Sequence, residues 1–131
     1  MIVENKDCNP NHDLPFKIKP DVIVYAKDSD CTAITDSWHA EIIMEFKWLQ
    51  KDDLFCEPHE QMIGEGDRQE KVKMFICDHK VVVDTLGQIT GYSSAQLRAQ
   101  YCTHIFSVFI VRDKAQILCW EQSGTIVSEA F

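Results

Sequence analysis

The stretch Trp38-His39-Ala40-Glu41-Ile42-Ile43-Met44-Glu45-Phe46-Lys47-Trp48-Leu49 constrains the fold more than any other part of the chain. Ile42, Met44, Phe46 and Trp48 alternate with Ile43, Glu45, Lys47 and Leu49. A period of two belongs to a β-strand, so Glu45 and Lys47 share one face of a sheet and an apolar stripe lines the other. The charged face is itself partly apolar, through Ile43 and Leu49. Two opposite charges in a half-buried setting need a physical reason, because an unpaired buried charge is costly.

Around this strand the chain reads as strands, one helix, then strands. Asp21 to Ala26 is a β-branched and aromatic run after Pro20, which suits a buried strand, and Asp28-Ser29-Asp30 supplies a turn. Asp78 to Gln100 has Val82, Leu86 and Ile89, then Leu97 and Tyr101, at helical spacing. Gly87 and Gly91 inside it imply a bend or a closely packed neighbour. His104 to Val111 is a strong strand, Arg112-Asp113-Lys114 a hairpin turn, and Ala115 to Glu121 an antiparallel return. A last strand covers Thr125 to Ser128, and an edge near residues 125–131 offers pairing to a second copy. Residues 1–15 carry Pro10 and Pro15 and read as an irregular arm, and residues 51–73 read as a mobile, charge-rich loop. The expectation is one α/β domain over residues 1–131, with a mixed sheet and one main helix.

Composition narrows the function classes. A net charge of −8 argues against a broad nucleic-acid-binding face, though not against substrate held locally through metal ions. No apolar run approaches the length of a membrane span, and the N-terminus lacks a secretion signal, so an intracellular protein without a membrane partner is expected. The six cysteines occur singly and read as reduced thiols. A zinc site from Cys56, His59, Cys77 and His79 can be drawn, but Cys77-Asp78-His79 is tighter than standard ligand pairs. The five histidines have no nucleophile motif beside them; His104, opening an apolar strand, reads first as a packed residue and otherwise, with Gln100, as a group approaching the Glu45 site. Trp120 and Tyr25 read as core residues.

The trio Asp21, Glu45 and Lys47 is the credible chemical set. Two carboxylates on adjoining strands can hold Mg²⁺ or Mn²⁺, which prefer oxygen ligands. Such an ion polarises a scissile phosphate, and a lysine on the same face can position the attacking water or stabilise developing charge.

Pro20-Asp21 with Glu45-Phe46-Lys47 resembles the PD-(D/E)xK signature of the restriction-endonuclease-like superfamily. Gln88-Ile89-Thr90-Gly91-Tyr92 is similar to the QxxxY element of its exonuclease branch. The resemblance implies a restriction-endonuclease-like mixed sheet and a nuclease that hydrolyses DNA or RNA. It implies Asp21 and Glu45 as metal ligands and Lys47, Gln88 and Tyr92 as catalytic or supporting residues. It also implies a further acidic residue before the Asp21 strand, for which Glu4 is the candidate.

A second resemblance spans roughly residues 16–131. Lys19-Pro20-Asp21, the Trp38–Lys47 strand, Gln88-Ile89 with Tyr92, Gln100 with Thr103 to Val108, and Trp120 with Ser123-Gly124 look like the segment preceding the kinase domain in fungal-type protein kinases. Cys102 and Glu121-Gln122 stand where that family tends to have arginines. No glycine-rich loop, HRD or DFG motif is present, so no kinase chemistry is expected from this chain. Two functions of different class are implied: a metal-dependent nuclease, or a catalytically inactive nuclease-like binding or regulatory module with a kinase domain as partner.

Overall fold

The computed structural model describes residues 2–4, 19–26, 36–66 and 68–131. The main sheet has six strands in the order β1-β2-β3-β6-β7-β8. These are β1 (Ile2–Glu4), β2 (Val22–Tyr25), β3 (Ala40–Lys47), β6 (His104–Val111), β7 (Lys114–Glu121) and β8 (Gly124–Val127). Between β3 and β6 come β4 (Phe55–Ile63), β5 (Glu70–Ile76) and the helix α1 (Lys80–Gln100). The β3–β6 pair is parallel and the other pairs are antiparallel, giving a mixed α/β architecture. A parallel pair needs a long crossover, and here α1 lies within it.

The helix sits on one face of the sheet because its apolar ridge and the odd-numbered positions of β6 complement each other. Val82 and Ile89 pack with Leu54, Ile105, Phe109, Val111, Leu118 and Trp120 in the principal core. Farther along α1, Tyr92 and Ala95 close over Ile43. The face carrying Glu45 and Lys47 is therefore the face the helix covers. Ile42, Met44 and Phe46, the apolar stripe in the sequence, lie on the opposite and more open face. Alternation separates two faces, but only the packed helix decides which becomes core. Trp48 and Leu49 lie beyond the strand and are exposed.

Three local expectations are corrected. Residues 51–73, read as a loop, contain β4 and most of β5, which pair as a separate two-stranded sheet. Its base is anchored where Phe55 stacks on Phe75 and meets Phe109 edge-on. The arm at residues 1–15 includes a strand, Ile2–Glu4, paired with β2 so that Glu4 stands opposite Val22. The rest of that arm, and the turn at Asp28-Ser29-Asp30, lie outside the described residues. Tyr101 is not on the buried helical face: it ends α1 in the left-handed conformation (φ 51°) and is 86% exposed.

Gly87 needs no close neighbour, since a Cβ there would meet nothing within 4 Å. Beyond β8 the chain stays beside β7: Ser128 N–H donates to Ile117 O, and Ala115 and Phe131 exchange two backbone hydrogen bonds. Among the described residues no helix is long and apolar enough to cross a membrane.

Candidate metal and phosphate site

At the C-terminal end of β3 two carboxylates meet. Asp21, immediately before β2, accepts a hydrogen bond from Phe46 N–H at 2.8 Å through Oδ2. That bond draws the Asp21 side chain across to β3 beside Glu45. Glu45 is only 5% exposed, and its Oε1 accepts from Lys47 Nζ at 2.6 Å. Its Oε2 is buried with no hydrogen-bond partner.

A buried carboxylate oxygen without a donor is costly, and native structures retain such groups where something else satisfies them. Burial pushes the Glu45 carboxyl above its usual range and the Asp21 charge adds to it, while the Lys47 hydrogen bond and the Asp21 backbone N–H oppose it; the backbone N–H faces the carboxylate without reaching Oε2 in good hydrogen-bond geometry. Opposing pressures of this kind are common where chemistry is done. The donor set, two carboxylates with one oxygen unpartnered, suits a hard divalent cation that keeps several waters.

Tyr92 comes to the same place from α1. Its hydroxyl donates to Lys19 O at 3.1 Å, tying the helix to the residues just before Asp21. Burial and the Glu45 charge push the phenol up to about 12, and the hydrogen bond it donates to the Lys19 carbonyl also favours the protonated form. A phenol so placed is a neutral donor at physiological pH and not a general base. Gln88 lies one turn earlier on α1 and is exposed. Asp21, Glu45, Lys47 and Tyr92 are thus brought together.

Other candidates fall elsewhere. Gln100 and His104 are at the opposite end of the sheet: Gln100 Nε2 donates to Ser37 O, and His104 is exposed, near Thr103 Oγ1 and against the Phe106 ring. Neither approaches Glu45, which in the parallel register stands beside Phe109, five residues beyond His104. Cys56 Sγ lies 3.6 Å from His59 Nδ1, and the Cys77 thiol, hydrogen-bonded to Cys56, is pushed up to about 11, first by burial. His79 is the N-cap of α1, and among the described residues no three His, Cys, Asp or Glu side chains form a metal-holding group. Trp120 is core, with its indole N–H donating to Ser107 Oγ at 2.7 Å, and buried Tyr25 accepts from Asp36 N–H through its hydroxyl.

Of one ridge on α1, the sequence reading singles out every member but Gln96. Gln88, Tyr92, Gln96 and Gln100 recur every four residues, and side chains four apart share a helix face. Gln96 Nε2 donates to Ala40 O at 2.6 Å and Glu41 O at 3.3 Å, and Gln100 Nε2 reaches Ser37 O and Ala40 O. The ridge fixes the position of α1 along β3, and with it the placement of Tyr92 relative to Glu45. The repeat was visible in the sequence; what it would bond to was not.

No family model matches the chain, and neither a curated protein nor a solved structure matches it significantly.

Proposed function

We propose that this chain is a divalent-metal-dependent nuclease with a restriction-endonuclease-like domain, hydrolysing phosphodiester bonds in DNA or RNA. The observation that carries the proposal is the unpartnered, buried Glu45 Oε2 beside Asp21. Asp21 and Glu45 would hold Mg²⁺ or Mn²⁺. When bound, that ion would neutralise phosphate charge and acidify a coordinated water.

The chain's own groups supply the rest. As an ammonium, Lys47 has three N–H donors, and Glu45 Oε1 engages one at 2.6 Å. The others are free to hold a phosphate oxygen and stabilise the charge that builds on it. Tyr92 keeps its proton on Lys19 O and acts by holding the residues before Asp21 against α1. Gln88, one turn before Tyr92 on α1, offers an exposed amide suited to a backbone phosphate of the substrate. Substrate contact through metal and a few donors is compatible with a net charge of −8.

The second reading is a catalytically inactive nuclease-like module that binds or regulates, related to the segment preceding the kinase domain of fungal-type protein kinases. It is favoured by the closed Lys47–Glu45 ion pair, which already occupies one ligand oxygen, and by the acidic surface. The two readings separate in a cleavage assay on single- and double-stranded DNA and on RNA, with Mg²⁺ or Mn²⁺. Cleavage by wild type that is abolished by chelator and by Lys47→Ala supports the nuclease. Metal binding without cleavage of any substrate supports the module.

A further inference from the structure

At the other end of β3 lies a depression of about 420 Å³, lined by Ala26, Trp38, His39, Ala40, Glu41 and Gln100. It is separate from the carboxylate site, and its chemistry is independent of the nuclease reading. Two large aromatic side chains stand open beside it. Trp38 is 61% exposed and Tyr101 is 86% exposed, their ring centroids 6.0 Å apart and tilted by 58°. Tyr101 also occupies the left-handed end of α1, where glycine or asparagine is the unstrained choice. A bulky aromatic at positive φ, turned to water, is unfavourable for folding on two counts.

The polar groups in the depression have one chemical sense. The Glu41 carboxylate is exposed and has no salt-bridge or hydrogen-bond partner among the described residues. Gln100 uses its amide N–H donors on Ser37 O and Ala40 O, leaving its carbonyl oxygen to accept. His39 Nδ1 lies 2.6 Å from Asp36 Oδ2, a contact that fixes the proton on Nδ1 in the neutral ring and leaves Nε2 an acceptor. Asp36 also accepts from Trp38 N–H, which holds the Trp38 backbone in place. Apart from the Trp38 indole N–H, the described residues of the depression offer acceptors, an exposed carboxylate and an aromatic face, and none of them is a lysine or arginine.

We infer that the depression formed by Trp38, Glu41, His39 and Gln100 is a binding site for a guanidinium group, namely an arginine side chain of a partner protein. A guanidinium is a planar donor-only cation, which can stack on the Trp38 face while its N–H fork pairs with Glu41. Remaining donors meet Gln100 Oε1 and His39 Nε2. The net charge of −8 favours approach of a basic segment.

The test is a titration of the isotope-labelled chain with Nα-acetyl-arginine amide, followed by the Trp38 indole resonance, which a Trp38→Phe variant assigns. Saturable shifts at Trp38 at millimolar probe are expected, with binding weakened about tenfold or more in Glu41→Gln. The citrulline analogue, a neutral isostere, is expected to leave Trp38 unmoved. Tyr101→Gly is expected to weaken arginine binding while raising the melting temperature, because it relieves the left-handed residue. An unmoved Trp38 resonance overturns the proposal, as does equal binding of citrulline or full affinity in Glu41→Gln. The folded state of each exposed-site variant is read from the same spectra.

Discussion

The two ends of β3 handle polar groups in opposite ways. At the N-terminal end, backbone carbonyls of Ser37, Ala40 and Glu41 are met by amides from Gln96 and Gln100. The orphans there, Gln96 Oε1 and Ser37 Oγ, are neutral oxygens, which leave a modest penalty. At the C-terminal end the orphan is Glu45 Oε2, part of an ionisable carboxylate pressed against Asp21. Burying a charged oxygen is the costlier choice by far. The lesson is that α1 fastens itself at one end of the strand and holds an unmet electrostatic demand at the other.

The largest expected effect breaks the active end alone. Lys47→Ala should lower kcat for nucleic-acid cleavage by about 10²–10³-fold, the usual loss for one charge-stabilising donor, with metal still bound. Parallel kinetics and metal titration check it. The next effect belongs to the fastening end. Gln96→Ala removes the bond to Ala40 O from the core and should destabilise the fold by about 1–3 kcal/mol in denaturant unfolding. It should also lower metal affinity, because α1 no longer holds Tyr92 and Lys19 in place.

The same logic predicts the opposite sign at Glu45. Its carboxyl has a higher pKa folded than unfolded, so the native state binds more protons and stability falls as pH rises from 4.5 through the raised value. Glu45→Gln removes that loss. Thermal melts should show the variant melting above wild type at pH 7, with the difference shrinking toward pH 4.5. A variant that melts lower at pH 7 would mean that the Lys47 pair outweighs burial. The smallest effect lies between the two ends. Gly87→Ala, in an exposed helix interior with open space at Cβ, should stabilise by about 1 kcal/mol and leave metal binding unchanged.

Much of this arrangement was legible in residues. Period two gave β3, β6 and β7, and Val82, Leu86 and Ile89 gave α1 to within two residues of its start. The carboxylate pair was legible because Glu45-x-Lys47 falls on the strand that alternation defines and Asp21 immediately precedes the β-branched run of β2. What stayed hidden depended on tertiary contact. The face of β3 that is buried is decided by where α1 lands, and no local pattern encodes that.

The β4–β5 hairpin was masked by charge and by Pro58, although Lys71-Val72-Lys73-Met74-Phe75-Ile76 does alternate in burial. A proline inside a strand argues against it, and here pairing shifts register between Phe55 and His59, which accommodates the residue. Tyr101 fits the helical period by number but ends the helix, since a cap is set by backbone conformation and not by side-chain spacing. The glutamine ridge was present in the sequence, yet a glutamine on a helix carries no mark of the carbonyl it will find.

The most direct measurement is calorimetric titration of the chain with Mn²⁺ and Mg²⁺, on wild type and on a doubly substituted Asp21→Ala, Glu45→Ala protein verified as folded. Saturable binding in wild type and none in the variant is the expected result, since Glu45 Oε2 would then have the partner it lacks. An absence of heat from wild type at millimolar metal, or equal binding by both proteins, would contradict a metal centre at the end of β3.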